Sequence, residues 1–109
     1  MTVYLIAEVE VTNDSWVPEY AAAVHDIAAK YNGRYLSRSG NIETLEGTPT
    51  NETLIALIQF PTREDALAFA NAPEYAPYAK ARQAGAVNHF RLIDDTDIAG
   101  AIPYLPMQA

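Results

Sequence analysis

The chain has 109 residues, half of them hydrophobic, with 14 acidic against 7 basic side chains and a net charge of -7. That length suits one domain with a core and leaves no room for a second, while the acidic balance disfavours DNA and RNA, whose phosphates call for clustered lysine and arginine. The lack of cysteine excludes disulfides, thiolate metal sites and a cysteine nucleophile.

The first residues, Met-Thr-Val-Tyr-Leu-Ile-Ala-Glu, lack a basic segment and meet an acid too early for a signal peptide, and no later apolar run reaches the length of a membrane span. A cytoplasmic protein with neither a membrane nor a nucleic-acid partner is therefore expected. Val3 to Val11 begins apolar and then alternates, with Val9 and Val11 opposed to Glu8 and Glu10, which reads as a strand. Thr12, Asn13 and Asp14 end it, and Asp14 or Ser15 can cap a helix whose first turn holds Pro18, where a missing N–H does no harm. Val17, Tyr20, Ala21, Val24, Ala28 and Tyr31 recur at helical spacing and form one buried stripe. Asn32-Gly33 supplies the left-handed residue that closes the helix.

Arg34 to Arg38 reads as a short second strand, and Ser39-Gly40-Asn41 as a turn leading into Ile42 to Leu45. A two-residue Gly40-Asn41 loop would set Tyr35 opposite Glu46 and Arg38 opposite Glu43, whereas a three-residue loop would put Arg38, Leu36 and Glu46 on one face. Both registers stay open at this point. After a polar loop, Thr53 to Phe60 is apolar on both alternating sets, so that strand must be covered on both sides. Thr62 with Asp65 approximates a capping box for a helix through Asn71 with Ala66, Leu67, Phe69 and Ala70 inward. Pro73 breaks it, Glu74 to Gly85 forms a second helical piece interrupted or offset at Pro77, and Val87 to Ile93 alternates as the last strand. Residues 1–97 make the domain. The apolar tail 98–109 is expected to pack on the domain or on a partner subunit.

The order strand, helix, strand, strand, helix, strand predicts an α+β class, ferredoxin-like βαββαβ fold with an antiparallel sheet and helices on one face. The bare face, apolar along Thr53 to Phe60, predicts a sheet-to-sheet homodimer.

The chain also resembles the family called domain of unknown function 1330, of the dimeric α+β barrel superfamily, over roughly its first 95 residues. The resemblance rests on Tyr4, Ile6 and Ala7, Tyr20, Gly33-Arg34-Tyr35-Leu36, Arg38, Gly40, Glu46-Gly47, Phe60-Pro61, Ala66, Pro73-Glu74-Tyr75 and Arg82. It implies the same dimer and a cavity between helices and sheet in each subunit. The chain departs from the family pattern at Asn13, Asn32, Leu54 and Gln59.

The polar set invites a ligand reading. Arg38 and Arg82 can clamp a carboxylate or other anion with the guanidinium fork; the alternative for each is an ion pair with Glu43, Glu46 or Glu74. Glu46 can act as a general base if desolvation raises its pKa, or pair with Arg34 or Arg38. Tyr35 and Tyr75 can present a hydroxyl to a ligand from an apolar body or simply fill the core. His25 and His89 are candidate proton shuttles, or surface and interface residues. With two histidines and no cysteine, no metal is expected. Asp94, Asp95 and Asp97 lack the glycine and terminal glutamate of a calcium loop, and no phosphate-cradling glycine loop or serine elbow is present. No cofactor is expected. The sequence thus predicts a homodimer that binds a small anionic or carbonyl-bearing metabolite, with cofactor-free acid/base catalysis of isomerase, cyclase or lyase type as its enzymatic form. A non-catalytic ligand-sensing or interaction dimer is the alternative. A haem, flavin or cofactor-independent oxygenase ranks third, by fold analogy.

Overall fold

The odd residues of the first strand, Val3, Leu5, Ala7 and Val9, are all buried while their even neighbours are only half so, which sets the inner face of the sheet. The computed structural model describes residues 1–101. This strand, β1 (Val3–Val11), occupies a central position and pairs antiparallel on both sides. Its partners are β3 (Leu54–Phe60) and β4 (Ala86–Asp94), and β2 (Arg34–Ser39) adds to the outer edge of β3. The strand order β2-β3-β1-β4 is that of the ferredoxin-like βαββαβ fold.

Three helices cover one face: α1 (Val17–Lys30), α2 (Arg63–Ala70) and α3 (Ala76–Gly85). A short 3-10 turn over Asp14–Trp16 precedes α1, and its cap is Asn13, whose side chain accepts from Ser15 N. The expected side-chain cap of the helix at Asp14 or Ser15 is not formed: Asn13, with the extended backbone a cap requires, caps the 3-10 turn, and α1 follows from Trp16 without a side-chain cap. Pro18 lies in the first turn of α1, and Thr62 caps α2 by accepting from Asp65 N at 3.0 Å. Pro77 starts α3 rather than interrupting it.

The end of α1 divides its two backbone tasks between two residues. Asn32 takes the left-handed conformation at φ 67°, which asparagine tolerates better than most. Gly33 is required for space, since a Cβ there would sit 2.6 Å from Cε1 of the fully buried Phe60.

Neither of the hairpin registers considered for Arg34 to Arg38 against the segment after Ser39-Gly40-Asn41 is formed: residues 40–53 are a loop, and β2 pairs with β3. The apolar β3 offers a buried face and a full ladder, while Glu43 to Gly47 offers an exposed polar segment, so burial decides the pairing over the local Gly40-Asn41 turn signal. The core runs from Val3 and Leu5 through Val24, Ala28, Ile58, Phe60 and Phe69. The opposite face of the sheet has no helix over it among the described residues, leaving Val87 50% and Ile93 51% exposed. Residues 102–109, most of the expected tail, lie outside the described residues.

Candidate functional site

Between α1, α3 and the inner face of the sheet lies a cavity of about 290 Å³. Its walls are mostly aromatic, from Trp16, Tyr20, Tyr35, Phe69, Tyr75 and Phe90, and it also meets Arg38 and Arg82. Four residues singled out in the sequence, Tyr35, Arg38, Tyr75 and Arg82, therefore converge on one space.

Tyr35 and Arg38 reach it from one strand despite being three residues apart. Simple alternation would send them to opposite faces. A bulge solves this: Tyr35 is level with Ile58 and Arg38 with Ala56, both inner-face positions, with Leu36 as the extra residue between Tyr35 and Ser37. The Arg38 guanidinium lies 4.4 Å from the Tyr35 ring centre. On the α1 side, His25 stacks near-parallel to the same ring at 5.6 Å, so the Tyr35 ring has both a guanidinium and an imidazole for neighbours. Burial pushes the Tyr35 hydroxyl up to about 12, against an opposing pull from Arg38. It is a neutral phenol in any physiological solution.

Arg82 comes from the last turn of α3 and is 5% exposed. Its guanidinium lies 4.1 Å from the Phe90 ring centre and 5.9 Å from that of Tyr20. Among the described residues no carboxylate pairs with it, and its buried Nε finds no hydrogen-bond acceptor. The ion pairs considered from sequence are not formed by either Arg38 or Arg82: Glu74 instead accepts from the Tyr31 hydroxyl at 2.5 Å and faces Lys30 at 3.7 Å. Buried charges are ordinarily paired because desolvating one alone is costly, so Arg82 is the outstanding electrostatic feature of the molecule.

Tyr20 is legible in the sequence only as a member of the buried α1 stripe. Its hydroxyl lies 2.5 Å from that of Tyr75. One phenol donates to the other, which leaves one proton of the pair for a further acceptor. Burial, reinforced by Tyr75, drives the Tyr20 hydroxyl well above the ordinary phenol range. Trp16 closes the same end, its Nε1 donating to Gly85 O at 3.1 Å.

The proposed proton-transfer groups lie elsewhere. Glu46 is exposed on the 40–53 loop, His89 stands on the uncovered face of the sheet level with Glu8, and His25 is exposed behind Tyr35. None of the three lines the cavity. No group of three or more histidine or acidic side chains at metal-binding spacing occurs among the described residues, and none of their helices is long and apolar enough to cross a membrane.

Solved structures share this architecture at low identity. RPA0582, a protein of unknown function from Rhodopseudomonas palustris, matches with a TM-score of 0.73 and 12% identity, over 88% of this chain and 83% of its own. SnoaB, a cofactor-independent oxygenase from Streptomyces nogalater, matches with a TM-score of 0.62 and 12% identity, over 88% and 94%. A dimeric protein of unknown function from Bacteroides fragilis, described as having a ferredoxin-like fold, matches with a TM-score of 0.50 and 13% identity, over 85% and 95%. At these identities the likeness is one of fold. No curated protein sequence matches the chain. The model of the family described as "Domain of unknown function (DUF1330)" matches residues 2–96, and the chain belongs to that family.

Proposed function

We propose that the protein is a receptor for a small organic anion with a flat apolar body, held in the helix/sheet cavity with its negative charge on Arg82. One observation carries this: a guanidinium 5% exposed, with no carboxylate partner among the described residues, set in an aromatic cavity. A carboxylate or enolate would complete the missing pair in a bidentate geometry. The surrounding rings would cover a planar body, and the Tyr20–Tyr75 pair would offer a neutral donor beside the charge. At about 290 Å³ the cavity sits at the lower end of the range for small-molecule sites, about 300 Å³ upward, which suits one or two rings. Arg38, exposed at the mouth on its tyrosine, would draw the anion inward.

Such a site lowers the pKa of any acid it binds, because it stabilises the conjugate base in a place poor in water. In an enzyme this would favour an enolate or phenolate as the reactive form. The similarity in fold to a cofactor-independent oxygenase supports a second reading, in which such an anion reacts with dioxygen; oxygen uptake on adding an enolisable aryl ketone would support it, and none would remove it. The uncovered sheet face, with Val87 and Ile93 half exposed, supports assembly as a homodimer through that face.

The test is calorimetric titration with 3-phenylpropionate and its neutral alcohol. Wild type should bind the acid and discriminate against the alcohol by about tenfold or more, the worth of a charge-assisted hydrogen bond. Arg82→Met should abolish that discrimination. Equal binding of acid by both proteins would remove the proposal.

A further inference from the structure

The polar side chains on the aromatic cavity have one property in common. Among the described residues they are the phenols of Tyr20, Tyr35 and Tyr75, the guanidinium groups of Arg38 and Arg82, and the indole of Trp16. Each of these groups can donate, and no carboxylate, carboxamide or imidazole lines the space to accept. The Trp16 N–H is taken by Gly85 O at 3.1 Å, which leaves the guanidinium groups and the phenols to face a ligand.

Tyr20 and Tyr75 stand beside the buried charge. Their hydroxyls are 2.5 Å apart, and the Arg82 guanidinium lies 5.9 Å from the Tyr20 ring centre. Burial is the largest influence on the Tyr20 and Tyr35 hydroxyls and raises both, while the positive charge of Arg82 pulls each down. The guanidinium is therefore within electrostatic reach of both hydroxyls. A charge that eases the loss of a proton also makes a phenol a better donor and a poorer acceptor. One proton of the Tyr20–Tyr75 pair is spent between the two oxygens, and the other is left for a ligand.

We propose that the ligand is a 2-oxo acid with an aryl body. Its ring lies among the aromatic walls, its carboxylate is held by the Arg82 guanidinium, and its keto oxygen accepts the remaining proton of the Tyr20–Tyr75 pair. Carboxylate and carbonyl sit on adjacent carbons in such a ligand, as the guanidinium and the phenol pair are neighbours in the cavity. The inference rests on reading Arg82 as the anion receptor and adds to it the identity of the group next to the anion. A 2-hydroxy or 2-amino acid brings a hydrogen at that position, for which the cavity side chains hold no carboxylate, carboxamide or imidazole, and the ammonium would also stand beside a like charge.

The experiment titrates wild type and the Tyr20→Phe, Tyr75→Phe double variant with benzoylformate, mandelate and phenylacetate. These acids share one skeleton, are all ionised at neutral pH, and differ in carrying a keto oxygen, a hydroxyl or only hydrogen at the 2-position. Wild type should bind benzoylformate about fivefold more tightly than phenylacetate, the value of one net hydrogen bond, and mandelate no better than phenylacetate. The double variant should bind all three alike. If wild type binds the three acids equally, or mandelate as tightly as benzoylformate, or if the double variant keeps the keto preference, the oxo-acid assignment is wrong and the Arg82 reading stands. If none of the three binds wild type, the assignment falls, and the titration with 3-phenylpropionate decides separately whether the Arg82 reading falls with it.

Discussion

A charge held in a protein interior for a ligand destabilises the empty fold, and the effect of removing it here has a definite sign. Replacing Arg82 by methionine keeps an unbranched side chain against Phe90 and Tyr20 but removes a cation that is 5% exposed. The desolvation penalty relieved is several kcal/mol. Against it stands the cation–π attraction of a guanidinium 4.1 Å from the Phe90 ring centre, worth about 2 kcal/mol when desolvated. The balance is a gain of about 1–3 kcal/mol, in line with apolar replacement of buried ionic groups. For a domain of this size that raises the melting temperature by roughly 4 °C per kcal/mol. Thermal unfolding followed by circular dichroism, at one protomer concentration so that any association is held fixed, measures it. The same melts with 3-phenylpropionate at a hundredfold excess over its Kd should stabilise wild type by about 2.7 kcal/mol and leave the methionine variant unmoved. A variant that melts lower than wild type by more than about 1 kcal/mol would show that Arg82 is a structural partner of some group, and would refute the reasoning.

Four further outcomes concern other parts of the molecule. Tyr20→Phe or Tyr75→Phe alone leaves one buried hydroxyl unpaired and should cost about 1–3 kcal/mol in urea unfolding, while the double variant should cost less than the two singles summed; strict additivity would deny the 2.5 Å approach of the hydroxyls. Gly85→Ala drives a Cβ into the Trp16 indole and would break its bond to Gly85 O, so about 1–3 kcal/mol should be lost and the emission of the sole tryptophan should shift to the red. Because burial raises the folded pKa of Tyr35 to about 12 and that of Tyr20 further, the stability from their neutral forms is complete below an unfolded value of about 10 and is lost as pH rises through the folded values. Absorbance at alkaline pH should show late-titrating phenols, Tyr20 and Tyr35 through burial and Tyr31 through its bond to Glu74, and all seven tyrosines titrating together near pH 10 would contradict this. Glu74 is held below the usual carboxylate range chiefly by the Tyr31 hydroxyl, so its contribution is present above the unfolded value and is lost as pH falls through the folded one; Tyr31→Phe should flatten the acid limb of the stability curve.

The central strand and the helices are legible in the sequence because their signals are local and mutually consistent. Val3 to Val11 alternates, Thr62 and Asp65 form their cap, and Pro18 and Pro77 stand in first turns. Residues 34–53 mislead because a Gly40-Asn41 hairpin signal is local, while the true partner of β2 is chosen by burial from residues further along the chain. Nothing in Arg-Tyr-Leu-Ser-Arg-Ser announces a bulge at Leu36, since no glycine marks it, yet that extra residue brings Tyr35 and Arg38 to one face. The burial of Arg82 is equally silent. Its place on α3 next to Gly85 gives it the look of an ordinary last-turn cation, and only the packing of α3 over Phe90 shows that it is enclosed. Tyr20 is the most recoverable omission: a phenol on a buried stripe needs a partner for its hydroxyl, and Tyr75 is already a candidate.

The most direct test of the account is a crystal structure of the protein grown with 3-phenylpropionate. The carboxylate should lie within hydrogen-bonding distance of the Arg82 guanidinium, with the ring among Trp16, Tyr20 and Phe90. A carboxylate bound at exposed Arg38 with Arg82 untouched, or an aromatic cavity without ligand at saturating concentration, would contradict it.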